Sequence, residues 1–141
     1  TGYGYTDIAE FIIQHGSNVE QNLEELFRRV AFYVIVGNSD DHFRNHGFLL
    51  TRKGWELSPA YDINPTLFDN QSLLINRSTS QSDLNILLAS AGDYMLSGDK
   101  ANSIITEVKT AMKLWRTEAR RLGLPQRDID MFTPRFDKWI E

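Results

Sequence analysis

The sequence predicts a mainly α-helical domain of the α+β class that contains one small β-hairpin. Apolar residues recur at helical spacing along most of the 141 residues, and one pair of short β-prone runs interrupts them. Hydrophobic residues form 41% of the chain and aromatic residues 11%, which is enough for a packed core. Because no repeat, low-complexity tract or linker divides the sequence, we expect residues 1–141 to form one domain or one lobe of a larger domain.

Two helices are predicted ahead of residue 37. Residues 6–16 carry apolar side chains on one helical face, and Gly16 is a natural C-terminal stop. Ser17 and Glu20 have the spacing of a capping box, which predicts that Ser17 opens the second helix. From Val30 onward this second helix is apolar nearly all round, so we expect its C-terminal half to be buried.

The β-prone runs come next along the chain. Residues 47–51 and 55–58 flank a turn that contains Gly54, which is the pattern of a hairpin. Pro59 has no N–H to donate to a sheet, so it ends the second strand. A short apolar run at residues 73–75 predicts one further strand.

The rest of the sequence predicts helices with identifiable ends. One helix is expected between a cap at residues 82–83 and Gly92, and a long amphipathic helix is expected over residues 97–123. Pro125 is well placed to open a last short helix, because proline is favoured at the first helical position. Pro134 is expected to interrupt that helix.

The composition argues against several classes of protein. A formal net charge of -4 is unlike that of a general nucleic-acid-binding protein, which normally presents a basic face. The absence of cysteine excludes disulfides and thiolate metal sites, and it fits a cytoplasmic protein. The longest apolar run, residues 30–36, is far shorter than a membrane span, and no signal peptide is visible. The chain opens without an initiator methionine, so we expect it to be a fragment of a longer polypeptide.

Polar residues are concentrated directly after the second helix. Residues 38–46 hold two carboxylates, two imidazoles, one guanidinium and two amides. Charged groups are rarely buried unless they are paired, so this stretch predicts a working loop presented by a rigid helix. A second polar stretch, residues 58–65, follows the hairpin. Because a hairpin brings its two ends together, we expect Asp62 to lie near Asp40 and Asn45.

Asp40, Asn45 and Asp62 offer oxygen ligands of the kind that Mg²⁺ prefers, usually together with substrate phosphates. An Asp, an Asn five residues later and an Asp beyond a hairpin form the layout of a protein-kinase catalytic core. In that core the first Asp accepts the proton of the substrate hydroxyl, while the Asn and the later Asp hold the metal ions. With a spacing of five residues, one loop can direct the base toward the substrate hydroxyl and the metal ligand toward the nucleotide.

These two stretches resemble a known family. GNSDDHFRNH from Gly37 to His46, followed by LSPAYDINP from Leu57 to Pro65, resembles the C-terminal domain of HipA-like serine/threonine protein kinases. Such kinases are the toxins of bacterial toxin–antitoxin modules. The resemblance is strongest over residues 30–66, and it implies the helical C-terminal lobe of a protein-kinase-like fold. It also implies ATP- and Mg²⁺-dependent transfer of the γ-phosphate to a protein serine or threonine.

The resemblance implies a catalytic role for one residue and metal binding for two. Asp40 is implied as the catalytic base, and Asn45 and Asp62 as the Mg²⁺ ligands. Asp41 stands where the family tolerates small residues, so it is assigned no catalytic role.

Three further residues are implied to face the nucleotide. His42 is expected to contact phosphate or to hold the loop. Arg44 stands where lysine is common in the family and keeps the positive charge, so a phosphate contact is expected there too. Tyr61 directly precedes the metal-binding Asp and is expected to lie against the nucleotide.

The sequence departs from an intact kinase at its N-terminal end. The phosphate-covering loop and the phosphate-binding lysine of an N-terminal lobe have no counterpart, since residues 2–5 are the one glycine-rich patch and no strand precedes them. We therefore expect a catalytic lobe that is a poor kinase alone. Its expected partners are ATP, a protein with an acceptor hydroxyl, an antitoxin and an N-terminal lobe, with no membrane and no direct nucleic-acid contact.

Other interpretations of the same residues stay open. Asp40 and Asp41 could cap a helix or turn, and His42 and His46 have the i, i+4 spacing of a zinc-binding pair. Tyr61 could equally pack in the core. At the level of function, the alternatives are a catalytically idle module that docks an antitoxin or an N-terminal lobe, and a metal-dependent phosphohydrolase that uses water as the nucleophile.

Overall fold

Six α-helices and one hairpin form the regular structure that the computed structural model describes in residues 2–140. The helices are α1 (Tyr5–His15), α2 (Val19–Val36), α3 (Leu84–Ala89), α4 (Gly98–Met112), α5 (Trp115–Arg121) and α6 (Gln126–Ile140). The strands are β1 (Phe48–Thr51) and β2 (Gly54–Leu57), and short 3-10 turns cover Phe43–Asn45 and Ala91–Tyr94. The predicted mainly α fold with a small hairpin is confirmed.

Helix α2 lies at the centre of the fold, in contact with α1, α3, α4 and α6. Large apolar side chains such as Leu26, Phe27 and Val34 are fully buried. The predicted burial of its C-terminal half is confirmed, because every residue from 30 to 37 except Phe32 is buried. Removing this much apolar surface from water is the main stabilising contribution to such a core, so α2 is a rigid support for the loop that follows it.

The hairpin forms where the sequence predicts it. Strands β1 and β2 pair antiparallel, with Phe48 opposite Leu57 at the open end. The ring of Phe48 packs against Phe11 of α1, with 4.8 Å between the ring centroids. Because β1 starts two residues after the polar stretch 38–46 and β2 leads directly into the stretch 58–65, the hairpin returns the chain to the end of α2.

The capping box predicted at Ser17 is wrong. The residue that precedes α2 is Asn18, which has a left-handed φ of 50°, and no side chain caps this helix. The Ser17 hydroxyl instead lies 3.4 Å from Thr51 Oγ1, and its backbone N–H donates to the carbonyl of Trp55 at 2.9 Å. Contacts with the hairpin therefore hold Ser17 away from the helix start.

The strand predicted at residues 73–75 is also wrong. Leu74 forms an isolated bridge with Gly4, in which the Tyr5 N–H donates to the Leu74 carbonyl at 3.0 Å. The bridge cannot grow into a sheet because the N-terminal partner turns into α1 at Tyr5. A single bridge is all that this geometry allows.

Two predicted caps in the second half of the chain are confirmed. The Asp83 carboxylate accepts a hydrogen bond from the backbone of Asn85 at 2.7 Å, and the Ser97 hydroxyl accepts one from Lys100 at 3.1 Å. Helix α3 ends at Ala89, however, which is three residues before the predicted stop. A 3-10 turn occupies the following residues.

The long helix predicted up to Gly123 breaks after Met112, and α5 begins at Trp115. The Trp115 indole N–H donates to Asp137 of α6 at 3.1 Å, and its ring lies edge-on to Phe136. A tertiary contact therefore redirects the chain at a place where the local apolar period is unbroken.

The expected interruption at Pro134 is likewise wrong, since α6 continues through that residue. Proline leaves the carbonyl four residues earlier without its helical donor. Here that residue is Asp130, and both it and Pro134 are exposed, so water can replace the missing donor. Among the described helices, none combines the length and the apolar character that crossing a bilayer requires.

Gly37 ends α2 in a left-handed conformation with φ of 71°. A Cβ at this position would lie 2.4 Å from the carbonyl oxygen of Thr66, so we expect Gly37→Ala to lower the free energy of unfolding by roughly 2 kcal/mol or more. Chemical denaturation measures this loss. Gly98→Ala is the matched control, because nothing lies within 4 Å of its Cβ position and it opens a helix, and we expect it to be neutral or stabilising. Equal stability of Gly37→Ala and the wild type would contradict the crowding at this position.

Candidate active site

The polar stretch 38–46, the catalytic loop, contains both buried and exposed side chains. Asn38, Ser39 and Asp41 are buried, with exposed fractions of 1%, 5% and 1%, whereas Asp40 is exposed. The loop therefore fixes itself to the core through its polar neighbours and presents Asp40 to solvent.

Asn45 and Asp62, the two predicted metal ligands, are brought together. Asn45 is buried, and its Nδ2 donates to Asp62 Oδ2 at 3.1 Å. The other oxygen of Asp62 accepts from Asn64 Nδ2 at 2.9 Å. Asp62 has a left-handed φ of 57°, which is unfavourable for a residue with a Cβ, and these side-chain hydrogen bonds help to hold it. The part of the expected convergence that concerns Asn45 and Asp62 is thus present in the structure.

The donor set suits a hard cation that shares its coordination with a ligand. Asn45 and Asp62 both carry oxygens, and Mg²⁺ is commonly held by one or two protein carboxylates plus phosphates and water. Among residues 2–140, no group of three or more His, Asp or Glu residues is arranged to hold a metal ion by itself. A site that needs phosphate oxygens to complete it fits these residues better than an all-protein cage.

Asp40 is linked to this pair through Asn64, while Asn45 and Asp62 themselves do not line the cavity that holds Asp40. It lines an open cavity of about 460 Å³ together with Asn64, whose side chain bonds to Asp62. The rest of the lining is hydroxyl, amide and aromatic: Ser39, Thr66, Phe68, Asn70, Gln71 and Ser72. Within the described part of the chain, the Asp40 carboxylate has no hydrogen-bond partner that would occupy its oxygens. It is therefore free to accept a proton from a group in this cavity.

The three residues assigned to the nucleotide lie around the 3-10 turn Phe43–Asn45. The Tyr61 hydroxyl donates to the backbone carbonyl of Arg44 at 2.7 Å, and the Tyr61 ring remains 45% exposed. Arg44 is exposed. The backbone N–H of His42 donates to Asn45 Oδ1 at 3.1 Å, so His42 orients the amide of a predicted metal ligand. The partly exposed Tyr61 is not a core residue, which removes one of its two interpretations.

Asp41 is the site residue that sequence reasoning missed. Its Oδ2 accepts from the Tyr5 hydroxyl at 2.8 Å and lies 2.5 Å from His46 Nε2. This contact engages His46 Nε2, while the zinc pair of His42 and His46 stays an alternative interpretation. The available signal was an acidic residue directly after an apolar helix, which must find donors if the core encloses it.

The Asp41 network extends further into the core. Burial raises the pKa of Tyr5 well above its usual value, and the neighbouring Asp41 carboxylate adds to the rise. Burial, and then the charge of Asp41, also raises the pKa of Tyr33 to about 12. The side-chain amide of Gln71 donates to the Tyr5 hydroxyl at 3.3 Å and to the Asn38 carbonyl at 3.1 Å. Three distant parts of the chain are tied together at the base of the catalytic loop.

A larger groove of about 560 Å³ lies elsewhere, between α2, α4 and residues 60–63. Its walls are mostly apolar, and ion pairs of Arg28 with Glu25 and Glu107 cross it. None of the predicted site residues lines it. Because it holds Asp40 and also Asn64, whose side chain bonds to Asp62, the 460 Å³ cavity is the candidate active site.

Two comparisons with known proteins relate the chain to others. The family model described as HipA-like C-terminal domain matches residues 1–115. A Haemophilus influenzae protein named "Putative kinase" is 38% identical over 60 residues. That match covers 42% of this chain but only 18% of the relative's length.

Removing the Tyr5 hydroxyl tests the network around Asp41. Tyr5→Phe leaves the buried carboxylate with one donor fewer, so we expect the free energy of unfolding to fall by about 1–3 kcal/mol. Tyr3→Phe is the control, because Tyr3 is 62% exposed and its change is expected to stay within about 0.5 kcal/mol. Denaturant titration of both variants makes the comparison, and equal effects would argue against the network.

Proposed function

Because the chain belongs to the HipA-like C-terminal domain family, we propose that it is the catalytic lobe of an ATP- and Mg²⁺-dependent serine/threonine protein kinase of the toxin–antitoxin type. The observation that carries this proposal is the hydrogen bond between Asn45 and Asp62, together with an exposed Asp40 that shares a cavity with Asn64, a neighbour of Asp62. The kinase name of the Haemophilus influenzae relative supports it. Two oxygen-bearing ligands and an unpaired carboxylate are the groups that phosphoryl transfer requires of this lobe.

The proposed mechanism assigns each group one task. Asn45 and Asp62 hold Mg²⁺, which neutralises charge on the phosphates of ATP when it is bound. Asp40 accepts the proton of a serine or threonine hydroxyl that enters the 460 Å³ cavity. As the hydroxyl oxygen bonds to the γ-phosphorus, the bond from that phosphorus to the β–γ bridging oxygen breaks. The products are the phosphorylated protein and ADP.

The remaining site residues would orient the nucleotide. His42 and Arg44 are proposed to contact its phosphates, and Tyr61 to lie against it. The hydrogen bond between the Tyr61 hydroxyl and the Arg44 carbonyl supports this, because it fixes the ring beside the loop that carries His42 and Arg44. A guanidinium offers several donors in one plane, which suits phosphate oxygens.

The proposed partners follow from what this lobe leaves exposed. Apolar side chains on the hairpin and in the catalytic loop face solvent: Leu49, Leu50 and Phe43 are 59%, 68% and 40% exposed. Such surface is typical of an interface. We propose that an N-terminal lobe or an antitoxin covers it in the cytoplasm. The same observation favours the second candidate, a catalytically idle module that docks such a partner.

Thermal unfolding with Mg²⁺ and ATP tests the nucleotide site. At about a hundredfold excess over Kd, we expect the wild-type Tm to rise by roughly 5–10 °C, because ligand binding stabilises the folded state. Asp62→Ala should abolish the rise. Asp130→Ala on α6 is the control, because that exposed carboxylate lines neither the 460 Å³ cavity nor the 560 Å³ groove and its loss should leave the rise intact. A rise that persists in Asp62→Ala would count against the assigned metal ligand.

Phosphate transfer separates the candidate functions. With an N-terminal lobe supplied, we expect phosphoserine or phosphothreonine to appear on a protein, and Asp40→Asn to slow transfer by about 10²–10⁴-fold while the Tm rise remains. The chain alone should transfer phosphate poorly, because no lysine of that lobe neutralises the phosphates. Nucleotide binding without transfer in either setting would favour the idle module, and release of free phosphate alone would favour a phosphohydrolase.

A further inference from the structure

The last helix of the chain contacts the candidate site through one buried arginine. Arg135 of α6 is only 6% exposed. Its Nη2 donates to the backbone carbonyl of Phe68, and to Asp69 Oδ1 at 3.1 Å. Both acceptors lie in the segment that follows Asp62, so α6 is hydrogen-bonded to the chain a few residues beyond a proposed metal ligand.

The aliphatic part of the same side chain packs at the start of the catalytic loop. A Cβ placed on Gly37 would lie 3.2 Å from both Cδ and Nε of Arg135. Gly37 is three residues from Asp40. One side chain therefore touches the two segments that carry the proposed base and the proposed metal ligand.

These two segments cross next to Arg135, and hydrogen bonds join them there. The Thr66 N–H donates to the Gly37 carbonyl at 2.8 Å, and the Thr66 and Ser39 hydroxyls are 2.6 Å apart. The Ser72 N–H donates to the Ser39 carbonyl at 2.9 Å. The relative placement of Asp40 and Asp62 depends on this crossing, because it joins their segments outside the hairpin.

Burial of the Arg135 guanidinium costs free energy that the packing of its side chain does not offset by itself. A buried charge must recover its lost hydration, and apolar residues of similar size often stabilise a core as well or better. Within residues 2–140, Nη1 of Arg135 is buried without a hydrogen-bond partner. One terminal nitrogen of Arg135 thus lacks a hydrogen bond, whereas Nη2 donates to a backbone carbonyl and to a carboxylate of the same segment.

We propose that Arg135 is a positioning residue for phosphate transfer, which holds residues 66–69 against Gly37 so that Asp40 and Asp62 keep their relative placement. The proposal rests on the proposed function for its chemistry. It assigns a task to α6, which lies wholly outside the residues 1–115 that the family model matches. The catalytic unit of this chain therefore includes its C-terminal helix.

Hydrogen exchange of the full chain tests the clamp without any need for activity. Arg135→Met keeps the aliphatic stem and removes the guanidinium. We expect amides in peptides covering residues 66–72 to exchange at least about tenfold faster, because their anchor to α6 is lost. Ile129→Ala is the matched control: Ile129 is 1% exposed in the same helix and its apolar side chain makes no hydrogen bond, so its loss destabilises α6 but keeps the Arg135 guanidinium. Arg135→Lys, which keeps a single donor group, should restore part of the protection.

Kinetics with the N-terminal lobe present supplies the second readout. In Arg135→Met, we expect kcat to fall about tenfold while the KM for ATP changes by less than about twofold, because the clamp acts on placement rather than on nucleotide contacts. Ile129→Ala should leave kcat near the wild-type value at a temperature where it is folded.

The two proposals fail in different ways. Unchanged exchange over residues 66–72 in Arg135→Met, or an equal increase in Ile129→Ala, overturns the clamp and leaves the proposed function standing. A wild type that transfers no phosphate overturns the proposed function, and with it the positioning role, whatever the exchange shows.

Discussion

The buried carboxylate of Asp41 is the group on which the geometry of the catalytic loop depends. A carboxylate that is 1% exposed needs donors, and α1 and the end of the loop supply them through Tyr5 and His46. Asp41 is drawn into the core, while the preceding residue, Asp40, is exposed. The burial of Asp41 and the exposure of Asp40 are two features of one loop conformation. The hydrogen bond from Tyr5 of α1 to Asp41 stabilises that conformation.

The scaffold beneath the loop explains why this arrangement can be rigid. Helix α2 is buried over its last two turns and stops at Gly37, whose positive φ turns the chain sharply. The hairpin then returns the chain to within hydrogen-bond distance, so that Asn45 meets Asp62. Asp62 adopts a left-handed conformation that costs roughly 1 kcal/mol, and bonds from two asparagine side chains offset it. Strain of this kind is commonly found at functional sites.

Local patterns predicted the elements that depend on nearby residues. The hairpin, the end of α1 and the caps at Asp83 and Ser97 follow from turn chemistry and helical period, and the convergence of Asn45 with Asp62 follows from the hairpin. The failures share a cause, which is a partner far away in sequence. Ser17 is drawn to the hairpin, and a contact of Trp115 with α6 breaks the long helix. The roles of Asp41 and Arg135 were hidden for the same reason, because Tyr5 and Phe68 are their partners only in three dimensions.

The two-stranded sheet has one edge that the described residues leave open. The α1–α2 connection pairs with β2 through Ser17 and Trp55, whereas the outer side of β1 has no strand beside it within residues 2–140. That edge carries the exposed Leu49 and Leu50, and its unpaired backbone groups are available to pair with a strand of another molecule. With this edge uncovered, we expect the polypeptide to associate edge to edge as its concentration increases.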